Sequence, residues 1–284
     1  MKPGNFKFTK ALSIEHVFEL LDEYGDEAKI IAGGQSLMPT LNMRLSAPEL
    51  LIDIRALDTL KGIKLDADKI VVGALTRHVE LQQSTLIALH VPLLATAIEH
   101  VAHAAIRNRG TIGGNISLAD PASELPACCV ALDAEFTIAN KTGQRLVRAR
   151  DFFKELYETD LQTGDMLVAV AFPVATKNTV CGFREFVRRR GDFASTGLVI
   201  NAELEKQRFI SLSPVFFAVS NTPVLASNAA AQLLDKVINE DAINSALEVL
   251  SDELDIIGDI HTPSAMKLHL AKHYFKALVT ELHD

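Results

Sequence analysis

Ala32-Gly33-Gly34-Gln35-Ser36-Leu37-Met38-Pro39 follows the short apolar run Lys29-Ile30-Ile31, and Thr111-Ile112-Gly113-Gly114-Asn115 follows the polar run Arg107-Asn108-Arg109-Gly110. Glycine admits positive φ and lets a backbone approach a ligand with no Cβ in the way. Successive exposed amides in such a loop make a concave anion site, to which serine, threonine or asparagine side chains add donors. Each Gly-Gly pair, taken singly, also reads as a tight turn. Neither is a GxGxxG dinucleotide fingerprint, and no Gly-Lys-Ser/Thr follows to make a P-loop.

Outward from the first loop, Ile14, Val17, Phe18 and Leu21 fall on one helical face behind Ser13, a plausible N-cap. Leu50-Leu51-Ile52 reads as a strand, and so does Ile70-Val71-Val72, ended by Gly73. Helix signals return after Thr76 and from Pro92, where Leu93, Leu94, Ala97, Ile98 and Val101 form an apolar stripe. The stretch from Thr111 to Pro126 has no periodicity and reads as an ordered loop. Phe136 to Ala139 and Leu146 to Val147 flank Lys141-Thr142-Gly143 as a hairpin, and Met166 to Phe172 is a strand closed by Pro173. Residues 173–178 are the most linker-like. Beyond them come strands near 182–188, 197–205 and 211–219, then helices near 228–235, 241–251 and 263–282. Three strands followed by three helices suggest a separate α+β unit.

The 284 residues suffice for two domains. A net charge of −8 argues against nucleic acid as principal partner, because phosphate binding needs a basic footprint. No apolar run approaches the roughly 20 residues of a membrane helix, and Met1-Lys2-Pro3-Gly4-Asn5-Phe6 lacks the apolar core of a secretory signal. Cys128, Cys129 and Cys181 form no CxxC pair and cannot pair completely, so neither a disulfide framework nor a cluster or zinc site is expected. The chain reads as cytoplasmic. Cys128-Cys129 sits in the apolar stretch Leu125 to Leu132 and is expected to pack as core.

The two loops with their neighbours, AGGQSLMPTLNMRL at 32–45 and IRNRGTIGGNISLADPASELPA at 106–127, carry a further signal. Together with Arg188-Arg189-Arg190-Gly191-Asp192-Phe193-Ala194 and PSAMKLHLAKHYFKAL at 263–278, they resemble the FAD-binding subunits of molybdenum hydroxylases. That family includes the flavin subunit of carbon monoxide dehydrogenase and the flavin segment of xanthine dehydrogenase. The resemblance covers nearly the whole chain. It implies an α+β fold: a two-subdomain FAD-binding domain of the vanillyl-alcohol-oxidase-like kind over 1–175, with subdomains of about 1–56 and 57–175. A small C-terminal domain of about three strands and helices follows over 176–284.

The resemblance further implies non-covalent FAD, its pyrophosphate held by Ala32, Gly33, Gly34, Gln35, Ser36 and Leu37 with Thr111, Gly113, Gly114 and Asn115. Ala105 and Ile106 would lie toward the flavin end of the second loop. Glu124 stands where relatives place a carboxylate near the FAD sugar; otherwise it is a helix-start residue. Leu167 matches a residue packed on the cofactor, although an apolar strand residue is usually core. Phe183 stands where an aromatic, commonly tyrosine, covers the isoalloxazine, and Arg184-Glu185 replaces a lysine that often follows. Asp192 belongs to the family's Gly-Asp-Phe-Ala turn.

The implied function is electron transfer, from 2Fe–2S clusters on a small partner subunit, through FAD, to an external acceptor. Molybdopterin would sit on a large partner subunit, in a dimer of heterotrimers. No catalytic acid–base residue and no metal site are expected here. His100 and His103, and His269 with His273, have helical spacing but too few ligands for zinc, and Glu99-His100-Val101-Ala102-His103 is not HExxH. Ser36 is not in a GxSxG elbow. A stand-alone flavoprotein oxidase would need its own substrate pocket and commonly a larger cap domain. A non-catalytic assembly subunit would have had no reason to keep intact glycine loops.

Overall fold

The computed structural model describes residues 2–283. Four sheets organise the chain. In the first, β1 (Lys7–Lys10), β2 (Ala28–Ile31) and β3 (Leu50–Asp53) run parallel with β3 central, Ile52 facing Thr9 on one side and Ile30 on the other. A parallel strand must be covered on both faces, which explains why all of β3 is buried. Leu50 and Ile52 pack under α1 (Ile14–Tyr24) through Val17, Phe18 and Leu21, while Leu51 meets Leu41 of α2 (Leu37–Asn42). Ser13 caps α1 by accepting from the His16 amide at 3.2 Å. The first glycine loop is the β2–α2 connection, so its course is set by apolar contacts at both ends.

The second sheet is antiparallel, in the order β4 (Ile63–Asp66), β5 (Lys69–Gly73), β10 (Met166–Pro173), β6 (Glu135–Asn140) and β7 (Gly143–Arg148). A two-stranded ribbon, β8 (Phe153–Glu155) with β9 (Glu158–Thr159), follows α9 (Ala149–Phe152). Short helices cover the sheet: α3 (His78–Gln82), α4 (Thr85–His90), α5 (Pro92–Ala97), α6 (Ala104–Arg107), α7 (Ile112–Leu118) and α8 (Glu124–Ala131).

Here the structure corrects the reading of 111–126 as a loop. Both α7 and α8 fall in or across that stretch. Two glycines cost a helix about 1 kcal/mol each relative to alanine. Thr111 capping the Gly114 amide and burial of Ile112 and Ile116 offset that cost. Helix α8 shows no periodicity because it is buried all round, and Pro126 sits in its first turn, where a missing N–H costs nothing.

The third sheet is antiparallel, β11 (Thr179–Phe186), β12 (Thr196–Glu205), β13 (Arg208–Phe217) and β14 (Val224–Leu225), the last a short strand not expected from sequence. Alternation along β12 separates its faces. Leu198, Ile200 and Ala202 pack toward α10 (Ser227–Ala231), α11 (Glu240–Glu253) and α12 (Ser264–His283). Val199, with Phe183, Val215 and Phe217, joins the core of the second sheet's helices. Helix α8 therefore lies between the second and third sheets, and Cys128 and Cys129 are fully buried there as expected. Among the described residues no helix is long and apolar enough to cross a membrane.

Candidate functional site at the seam between the glycine loops

The two glycine loops, far apart in sequence, touch. A Cβ on Gly33 would stand 2.2 Å from the Arg109 carbonyl oxygen and 2.9 Å from the Gly110 Cα. Gly33 is therefore required where two backbones meet, whatever else it does. Gly34 turns the chain with φ +70°. Among the described residues, no hydrogen-bond acceptor is found for the backbone amides of Gly33, Gly34, Gln35, Ser36 or Leu37. The Gln35 side chain folds back, Nε2 donating to the Gly33 carbonyl at 3.0 Å. This is a run of free donors on a half-exposed loop, the arrangement that binds anions.

The second loop is built differently. Its amides are engaged within the protein: Ile112 donates to Thr76 at 3.0 Å, Gly113 to Ala74 at 2.9 Å and Gly114 to the Thr111 hydroxyl oxygen at 3.2 Å. Gly113 is buried, and a Cβ there would lie 2.5 Å from that of Ala74. Gly114 is exposed instead, and a Cβ added there would come within 3.9 Å of the Ala32 Cβ on the first loop. Asn115 is committed to Ser123 by reciprocal bonds of 2.7 and 3.1 Å. What this loop leaves unused is the proton of the buried Thr111 hydroxyl and an exposed surface at Gly114. Ala105 is exposed and Ile106 half-buried on α6, whose end receives the Gly110 amide on the Ile106 carbonyl at 2.7 Å.

Below this loop lies His78, not singled out by sequence. Its amide donates to the Gly110 carbonyl at 2.9 Å, its ring is buried, and neither ring nitrogen has a partner. Burial pushes the imidazole down to about 4, with the Arg107 charge adding to the effect. The second loop thus rests on a neutral ring.

The Asn115–Ser123 bond leads directly to Glu124 at the start of α8. Glu124 is buried, 5 % exposed, and burial pushes its carboxyl up to about 7; the nearby Glu185 and Asp120 carboxylates push the same way, His100 the other. Across from it, on β11, Glu185 pairs with His100 at 3.0 Å, and the His100 ring stands 4.4 Å from that of Phe183. Neighbouring contacts thus run from the first loop to the second, through Asn115 and Ser123 to Glu124, and through Glu185 and His100 to Phe183, and this row of residues forms the seam. Leu167 lies beneath it, buried among core residues, and Phe183 too is 5 % exposed. A cleft of about 830 Å³ between α1 and the β6–β7 hairpin, lined by Glu15, Phe18, Glu19 and Lys141 among others, shares no residue with the seam. No group of three or more metal-ligating side chains occurs among the described residues.

Sequence similarity agrees with this geometry. Residues 4–175 match the FAD binding domain in molybdopterin dehydrogenase, and 182–282 match the CO dehydrogenase flavoprotein C-terminal domain. The 6-hydroxypseudooxynicotine dehydrogenase complex subunit alpha of Paenarthrobacter nicotinovorans is 37% identical over 92% of this chain and 88% of its own length. A chain of quinoline 2-oxidoreductase from Pseudomonas putida 86 superposes with TM-score 0.93 at 34% identity, covering 100% of this chain and 98% of that one. A chain of carbon monoxide dehydrogenase from Hydrogenophaga pseudoflava gives TM-score 0.95 at 30% identity, covering 98% and 96%. Over nearly its whole length, therefore, the chain belongs to the FAD-binding medium subunits of the molybdenum hydroxylase family.

Proposed function

We propose that this chain holds FAD non-covalently along the seam and passes electrons from the 2Fe–2S clusters of a small partner subunit to an external acceptor. The observation that carries the reading is the run of unpartnered amides from Gly33 to Leu37, beside the bare surface of Gly114. A dinucleotide pyrophosphate needs converging donors and little side-chain bulk, and the residues present fit that demand. Bound FAD supplies a centre that accepts electrons singly and releases them in pairs.

The protein's own residues do the positioning. Ala32 through Ser36 and Leu37 cradle the phosphates, with the Thr111 hydroxyl and Asn115 closing the opposite side. Gly113 keeps α7 seated on Ala74, and Gly114 leaves room. Ala105 and Ile106 continue this wall toward the flavin end. The Glu124 carboxyl accepts from sugar hydroxyls, Phe183 limits water at the ring, and Leu167 backs the pocket. We place the boundary between the FAD-binding and C-terminal domains near residue 175, and that between the subdomains near 56. A large molybdopterin subunit completes the complex, as a dimer of heterotrimers in the cytoplasm, a setting in keeping with the free Cys128, Cys129 and Cys181.

Purification of the chain with its co-expressed partners, followed by a visible spectrum, tests the reading. Flavin absorbance released by heat is the expected result, whereas a fully assembled complex without flavin would sink it. Gly114→Ala provides a sharper check. The nearest atom to its new Cβ is the Thr111 hydroxyl oxygen at 3.0 Å, which caps the Gly114 amide, while alanine is worth up to about 1 kcal/mol more than glycine in a helix. With the alanine gain set against a strained cap, the variant is expected to stay within about 1 kcal/mol of wild-type stability yet bind FAD about tenfold more weakly, about 1.4 kcal/mol.

A further inference from the structure

Electrons that reach a flavin from one-electron donors bring no protons, although reduction of the ring binds them. The proton must come separately. We propose that His100 and Glu185 form a proton relay between solvent and the flavin-binding seam, an inference that rests on the FAD reading above.

The pair has an outside end and an inside end. The His100 side chain is 44% exposed, that of Glu185 only 7%. The His100 Nδ1 lies 3.0 Å from the Glu185 Oε1, so one proton is shared along that contact. The other carboxylate oxygen, Oε2, is buried with no hydrogen-bond partner. A buried, unpaired carboxylate oxygen is costly and calls for an explanation. Glu124 lies near enough to the pair for its carboxyl to sense the charges of both Glu185 and His100. Phe183, its ring tilted 36° to the imidazole with centroids 4.4 Å apart, packs against it. The pair also bridges the N-terminal part of the chain and β11. Other groups facing it are Asp120 ahead of α8, Arg184 on β11, which pairs with Glu281 of α12, and Tyr274 of α12.

The chemistry balances simply. A hydronium ion or buffer acid gives its proton to the outer His100 nitrogen, Nδ1 passes its own proton to Glu185 Oε1, and rotation of the carboxyl group carries that proton inward for release. The ring then exchanges its two N–H positions to reset. Two one-electron donations from the iron–sulfur partner would supply the electrons to bound FAD, and Glu185, recharged through His100, would supply the accompanying proton. Positioned side chains of this type speed proton transfer by about 10²–10⁴-fold.

The test uses the assembled, flavin-loaded complex in weak buffer with a pH-indicator dye, reduced rapidly in a stopped-flow cell. Glu185→Gln and His100→Ala are both expected to retain wild-type flavin content while slowing proton uptake at least tenfold. Added imidazole is expected to restore uptake in His100→Ala but not in Glu185→Gln, an outcome a purely structural role would not give. Wild-type uptake rates in both flavin-loaded variants would overturn the relay and leave the FAD reading standing. Loss of flavin from the variants would also overturn it, by assigning the pair to cofactor retention. A wild-type complex devoid of flavin would defeat both readings together.

Discussion

Gly33→Ala is expected to strip the complex of FAD, lowering affinity at least 100-fold, about 2.7 kcal/mol. The new Cβ would sit 2.2 Å from the Arg109 carbonyl oxygen, 2.9 Å from its carbon and 2.9 Å from the Gly110 Cα. All three are backbone atoms, so no side-chain rotation relieves the clash. The loops must part by about an ångström, which pulls the free amides of Gly33 to Leu37 away from Gly114 and Thr111. Overpacking of this kind costs about 1–3 kcal/mol of stability as well. Flavin-to-protein ratio and thermal unfolding of the purified complex measure both effects. Full flavin occupancy in the variant would show that the loop contact does not shape the cofactor site. The contrast with Gly114→Ala is informative, since one methyl closes on backbone and the other on an exposed surface.

The second large effect concerns Glu124. Its carboxyl titrates near 7 in the folded chain, chiefly because it is buried, against an ordinary 4.5. Between those values the folded state holds more protons than the unfolded one, so this group makes stability fall as pH rises from about 4.5 to 7. Glutamine cannot ionise. Glu124→Gln is therefore expected to match wild type near pH 4.5 and to exceed it above pH 7, by at most about 3 kcal/mol. His78 works in the opposite sense. Its imidazole, ordinarily 6.5, is held near 4, so its contribution is lost as pH falls from 6.5 through 4. In wild type the two trends partly cancel between 4.5 and 6.5, and Glu124→Gln uncovers the His78 slope. Urea midpoints of the free chain at pH 5, 6, 7 and 8 measure this. Superimposable profiles for variant and wild type would refute the assignment. If the carboxyl also accepts from the FAD sugar, the same variant gains stability and loses flavin affinity.

Elements with a clean period were legible in the sequence. Ile14, Val17, Phe18 and Leu21 marked α1, and the hairpin at Lys141-Thr142-Gly143 appeared where turn residues flank alternating strands. Helices α7 and α8 were not, because glycines mask one and complete burial removes the period of the other. At the seam, the composition of the glycine loops pointed to an anion, but not to the unequal division of labour between them. That the second loop spends its amides on Thr76, Ala74 and Thr111 depends on tertiary contacts with no local signature. Glu185 was visible as a departure from a common lysine. Its partner His100 lies 85 positions away, beyond any spacing argument. His78 carried no signal at all, since nothing in its neighbours foretells a ring buried without partners.

The unpartnered amides of the first loop bear on how long a copy of the protein survives. Before loading, those donors depend on water, and the apolar anchors of the loop, Ile31 and Leu41 among them, lie at its ends. A ligand that binds only the native state stabilises it by mass action. Copies that meet FAD are thereby withdrawn from local opening, while the rest offer proteases a glycine-rich segment. Turnover in the cell then sorts loaded chains from unloaded ones with no dedicated inspector, and flavin supply sets how much of the subunit accumulates.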